Sequence, residues 1–135
     1  MPENIFFTIK SWDEKTWDGR RTQDVTGAKE THSTVHYSYS GELVGESELH
    51  YLMTYRADGT ASFVGQERIT GTLGGHTGSF VIQHTGVYED EIVKGSFFVV
   101  AGSGTDGLAT LRGTGSMTLV GESATYPMQF DYQLG

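Results

Sequence analysis

The chain has 135 residues, with 17 acidic against 9 basic side chains, a net charge of −8 and no cysteine. Disulfides and thiolate chemistry are excluded, and singly dispersed charges of this sign lack the basic footprint that nucleic acids demand, so no nucleic-acid partner is expected. Nineteen glycines beside two prolines point to many tight turns rather than to disorder. The length suits a single domain over residues 1–135, large enough for a core without covalent staples. The start, "MPENIFFTIKSW", lacks a basic segment followed by an apolar run, and no stretch approaches the ~20 apolar residues of a membrane span. The expectation is a cytoplasmic protein with no membrane partner.

Alternation at period two runs through the whole chain, and no window sustains a helical apolar stripe. In chain order the pattern predicts strands over 4–17, 29–40, 43–56, 61–71, 79–89, 92–101, 109–120 and 125–134. Turn signals separate them: "DGRRTQDVTG", "SG", "ADGT", "LGGHTG", "ED", "GSGTDG" and "VGESA". Short connections imply antiparallel hairpins. So high a strand content suits a sheet that removes its edges by closing. The reading is all-β: an eight-stranded antiparallel meander closed into a small barrel, with a β-sandwich as the alternative. An interior of this size is filled by side chains or holds one small ligand.

Three blocks occur in order: "GELVGESELHYLMTY", "FVGQERITGTLGGHTGSFVIQHTG" and "GSGTDGLATLRGTG". Together they resemble the uncharacterised bacterial family called domain of unknown function 3224. The resemblance implies a barrel like that of allene oxide cyclase. It implies no established activity, and the catalytic residues of allene oxide cyclases do not map onto this chain. One departure stands at Asp106, where glycine is expected after "GSGT"; an Asp-Gly turn does the same geometric work.

Hairpin arithmetic groups the side chains by face. Taking Asp58-Gly59 as a two-residue loop sets His50 opposite Glu67. Centring the next turn on Gly74-Gly75 sets Glu67 opposite Ile82 and Gly65 opposite His84, so Glu67 and His84 become diagonal neighbours. One face then collects Glu46, Glu48, His50, Leu52, Phe63, Glu67, Ile69, Phe80, Ile82 and His84. The other collects Leu49, Tyr51, Met53, Tyr55, Val64 and Val81 with Gln66, Arg68 and Gln83. We expect the Glu67 face inside. A half-apolar outer face makes a homo-oligomer the expected state.

Glu67, His84 and His50 are the candidate catalytic residues. Desolvation favours the neutral form of a carboxylic acid and histidine titrates near neutrality, so such a cluster suits proton transfer. The competing reading is a buried hydrogen-bond network that plugs the barrel. Glu48, Phe63, Phe80, Ile82 and Arg112 are the candidate ligand-binding residues, Arg112 as a clamp for a carboxylate. No metal or cofactor is assigned. His32 and His36 form H-x-x-x-H, but four residues along a strand lie ~13 Å apart, too far to share one ion. Trp12 and Trp17, five apart, fall on opposite faces of a regular strand. Three functions follow: a barrel binding a small apolar ligand with one polar end, an isomerase or cyclase using the Glu/His pair, or an interaction module with a packed interior.

Overall fold

The computed structural model describes residues 4–121 and 123–135. Eight strands follow one another: β1 (Ile5–Thr16), β2 (Lys29–Gly41), β3 (Leu43–Tyr55), β4 (Ala61–Leu73), β5 (His76–Glu89), β6 (Ile92–Val99), β7 (Arg112–Val120) and β8 (Tyr126–Gln133). Each pairs antiparallel with the next. Ile5 opposite Met128 and Phe7 opposite Tyr126 join β1 to β8 and close the barrel, which removes the sandwich alternative. No helix among the described residues is long and apolar enough to cross a membrane.

The core is the inward half of the alternation. Phe7, Val35, Tyr37, Leu43, Leu49, Ile69, Leu73, Phe80 and Ile82 are almost wholly buried. At about 25 cal/mol per Å² of apolar surface removed from water, this lining is the main stabilising term. A long connection seals one end. Leu108 is fully buried, on a short 3-10 turn, Asp106–Leu108. The same connection hydrogen-bonds the half of β5 that β6 is too short to reach. Val100 N–H donates to Val81 O at 2.9 Å, and Thr105 N–H to Ser79 O at 2.9 Å. Asp106 itself has φ of +51°, the left-handed conformation that glycine would adopt without strain.

One expectation of register fails, for a local reason. The β3–β4 loop holds three residues, Ala57 to Gly59, because Arg56 N–H donates to Thr60 O at 2.8 Å and Gly59 N–H to Arg56 O at 3.0 Å. Gly59, with φ of +89°, supplies the left-handed residue that ends such a loop. Leu49, not His50, therefore faces Glu67, and every β3 side chain changes sides. Leu49, Tyr51 and Met53 point inward, whereas Glu46, Glu48, His50 and Leu52 are exposed. The β4–β5 register is as expected, with Glu67 opposite Ile82 and Gly65 opposite His84.

A second irregularity acts on β1. Its register against β2 shifts between Ile9 and Ser11, so Lys10 is an extra residue. Phe7 and Ile9 pair with the inward Tyr39 and Tyr37 before the bulge; Trp12, Glu14 and Thr16 pair with the inward Val35, Ser33 and Thr31 after it.

Candidate functional site

The deepest polar group is Glu67. It is completely buried, and His84 is 1% exposed. Tyr39 donates its hydroxyl hydrogen to Oε2 of Glu67. Nε2 of His84 lies 2.8 Å from Oε1. A carboxylate is acceptor-only, so here the Nε2–H donates and Nδ1 points away from Glu67. That Nδ1 is buried and has no hydrogen-bond partner. The imidazole sits between Tyr51 and Phe97, with ring centroids 5.8 and 5.6 Å away. Burial, reinforced by the charge of Glu67, pushes the Tyr39 hydroxyl far above the usual tyrosine range.

Above this cluster the barrel is open. A cavity of about 480 Å³ is lined by Trp12, Tyr37, Tyr51, Tyr55, Tyr88 and Tyr126, with Ile9, Met53, Phe63, Val93, Met117 and Leu119 between them. Tyr37 and Tyr51 form its floor. Their hydroxyls interact, and both feel the charge of Glu67 behind them. Desolvation first holds both phenols well above their usual pKa, followed by the Glu67 charge for Tyr51 and by Tyr51 and then Glu67 for Tyr37, so they remain neutral hydrogen-bond donors. Tyr51 needs the glycine beside it: a Cβ on Gly65 would stand 2.4 Å from His50 O and 2.7 Å from the Tyr51 ring.

The rim is held by Glu14. It accepts from the Tyr55 hydroxyl at 2.5 Å, Thr31 Oγ1 at 2.7 Å and Trp12 Nε1 at 3.0 Å. Glu91 also lines the mouth, and no lysine, arginine or histidine is among the lining residues. The Asp90–Glu91 turn is made of two residues with φ of +54° and +62°, as a type I′ hairpin requires.

The predicted site residues divide accordingly. Glu67, His84, Phe63, Phe80 and Ile82 are brought together inside, and Phe63 alone of these lines the cavity. His50 and Glu48 lie on the outer surface, hydrogen-bonded to each other at 2.8 Å. They are outside because of the three-residue loop. Arg112 is exposed at the first position of β7, 3.4 Å from Gln133 Oε1, away from the cavity residues Met117 and Leu119. Trp12 faces the cavity mouth and Trp17 is exposed. The tyrosine floor was missed. Its signal was the left-handed glycine in "ADGT", which sets the three-residue loop and turns Tyr51 and Tyr55 inward.

The closed meander of eight antiparallel strands puts the chain in the class of small all-β barrels. Within that class the chain belongs to the family described as "Protein of unknown function (DUF3224)", whose pattern matches residues 5–132. It is similar to a crystal structure from that family, a protein of unknown function from Shewanella oneidensis MR-1. The identity is 24%, over 100% of this chain and 96% of that one, with a TM-score of 0.76. At that identity the likeness concerns the fold alone. No curated protein matches the sequence.

Proposed function

We propose that the protein is a binding barrel for a small, neutral, mainly apolar molecule with one hydrogen-bond acceptor. The observation that carries this is the cavity of about 480 Å³, walled by aromatic and aliphatic side chains, with the buried Tyr37 and Tyr51 among its lining. Pockets of this size and composition are those that hold small ligands. The apolar body would lie against Phe63, Met117 and Leu119, and the acceptor would receive a hydrogen bond from Tyr37 or Tyr51. A ligand anion is disfavoured: Glu91 and Glu14 guard the rim and Glu67 lies behind the floor, while Lys29, 5.0 Å from the centroid of the Tyr55 ring, is the cation set against these three acids and already donates to Thr22 O and Val25 O.

The isomerase or cyclase reading comes second. Glu67 and His84 do not line the cavity, so proton transfer to a bound molecule would have to pass through Tyr51 or Tyr37. The architectural likeness to allene oxide cyclase remains a resemblance and brings no reaction with it.

The test is a fluorescence titration. Trp12 lines the mouth, so long-chain ketones or esters should perturb its emission saturably, whereas carboxylates of the same chain length should bind at least about tenfold more weakly. Replacing the exposed Trp17 with Phe removes the second emitter. Carboxylates binding as well as ketones would refute the neutral-ligand reading. An unresponsive Trp12 with every probe would refute the cavity's role.

A further inference from the structure

The outer surface of β1, β2 and β3 carries a row of polar side chains that the cavity does not use. Ser11 Oγ lies 3.0 Å from Nδ1 of His36, and Nε2 of His36 lies 3.4 Å from Oε1 of Glu48. Oε2 of Glu48 is 2.8 Å from Nε2 of His50, and Nδ1 of His50 is 3.2 Å from Nε2 of His32. The β2–β3 register creates the last contact: His32 faces Leu52 and His50 faces Thr34, which makes the two histidines diagonal neighbours.

The chemistry of the pair follows from its partners. Glu48 accepts from the Nε2–H of His50 and, on its other oxygen, faces Nε2 of His36. With its Nε2–H given to Glu48, the neutral form of His50 presents the Nδ1 lone pair to Nε2 of His32, 3.2 Å away. The ring centroids are 5.4 Å apart with 23° between the planes, and the 3.2 Å between the two nitrogens makes these edges the point of approach. Two nitrogens so placed share either one hydrogen or one cation. In a tetrahedral shell with metal–nitrogen bonds of about 2.0–2.1 Å, adjacent nitrogens lie about 3.3–3.4 Å apart, close to the separation here. A carboxylate on the far nitrogen fixes the tautomer and raises the basicity of the ligating one.

We propose that His32 and His50 form a two-imidazole site for a divalent cation of the zinc, nickel or copper class, with Glu48 as its orienting carboxylate. Imidazole nitrogen suits those ions over calcium or magnesium. On binding, the hydrogen of His32 moves from Nε2 to Nδ1 and both facing nitrogens give lone pairs to the metal. No bond to carbon changes and no electron is transferred. Among the described residues no three histidine, aspartate or glutamate side chains are set to hold one ion. The rest of the shell is therefore left to water or to the same pair on a second copy. Leu52 and Val64, about half exposed, line a groove with His32 and His50 and would be covered by such a copy. Glu46, His36 and Arg68 line the neighbouring groove with Glu48 and His50, and set the local field.

Isothermal titration with zinc chloride tests the site on the wild type and on His32→Ala, His50→Ala, Glu48→Gln and His76→Ala. All four positions are exposed, so the barrel should survive each change. Saturable binding is expected in the wild type and in His76→Ala. Either ligand variant should lose at least about tenfold in affinity, and Glu48→Gln about tenfold. Native mass spectrometry separates the two sources of the remaining ligands: one zinc per monomer means water, one per two chains means a second copy. No saturable binding in the wild type would overturn the site. So would equal affinity in His32→Ala, His50→Ala and the wild type.

Discussion

Removing His84 alone should harm the barrel more than removing His84 and Glu67 together. In His84→Leu the Glu67 carboxylate stays completely buried with only the Tyr39 hydroxyl as partner. Breaking one side of such a pair costs about 3–5 kcal/mol. In Glu67→Leu the charge is gone, but Nε2 of His84 and the Tyr39 hydroxyl lose their acceptor at about 1–3 kcal/mol each. In the double variant only the Tyr39 hydroxyl is orphaned, and two apolar side chains fill the space, for a net cost of about 1–3 kcal/mol. The coupling should therefore exceed about 3 kcal/mol in favour of the double variant. Urea unfolding at neutral pH, extrapolated to water and compared at equal slope, measures it. Against total stabilities of about 5–15 kcal/mol, a His84→Leu chain that fails to fold while the double variant folds is the same result. A double variant destabilised by the sum of the two singles would refute the pair as one energetic unit.

Other consequences are smaller or bear on the walls. Gly59→Ala has open space around it and should cost about 1–2 kcal/mol for its positive φ alone. Gly65→Ala has ordinary backbone angles but meets His50 O and the Tyr51 ring, so it should cost about 1–3 kcal/mol and also perturb the cavity floor. Replacing Asp90–Glu91 by Asn–Gly, the preferred pair for a type I′ turn, should raise stability by about 1 kcal/mol in the same urea assay. Tyr37, Tyr39 and Tyr51 have folded pKa values raised by burial above the unfolded value of about 10. Their contribution is full below pH ~10 and lost as the pH climbs above it toward the folded values. Absorbance of tyrosinate should therefore rise together with loss of near-ultraviolet circular dichroism; ionisation of all the tyrosines in a still-folded barrel would contradict their burial.

How much of this was legible in the sequence depends on which local rule governed each element. Strand number and near-correct boundaries followed from alternation and turn residues, because a closed antiparallel meander obeys both everywhere. The Glu67–His84 contact followed too, since Gly74-Gly75 is a tight two-residue turn with φ positive at both positions. Side-chain faces on β3 did not. A two-residue and a three-residue loop differ by one position in register, and "ADGT" permits either until Gly59 is recognised as the left-handed closing residue. That single step exchanged His50 and Glu48 for Leu49, Tyr51 and Met53 as interior groups. Nor was the Lys10 bulge legible, because no glycine or proline marks it. It gives Trp12 and Glu14 to the mouth of the cavity. The histidine pair on the outer surface depends on the β2–β3 register, which a reading of spacing along one strand cannot supply.

The central claim is that the tyrosine-floored cavity holds a neutral small molecule, and native mass spectrometry of protein purified from its own host tests it most directly. The wild type should carry a neutral adduct of small-molecule mass. Leu119→Trp, which fills the cavity from the wall, should fold and carry none. A wild-type chain found bare, or the same adduct on both proteins, would contradict the account.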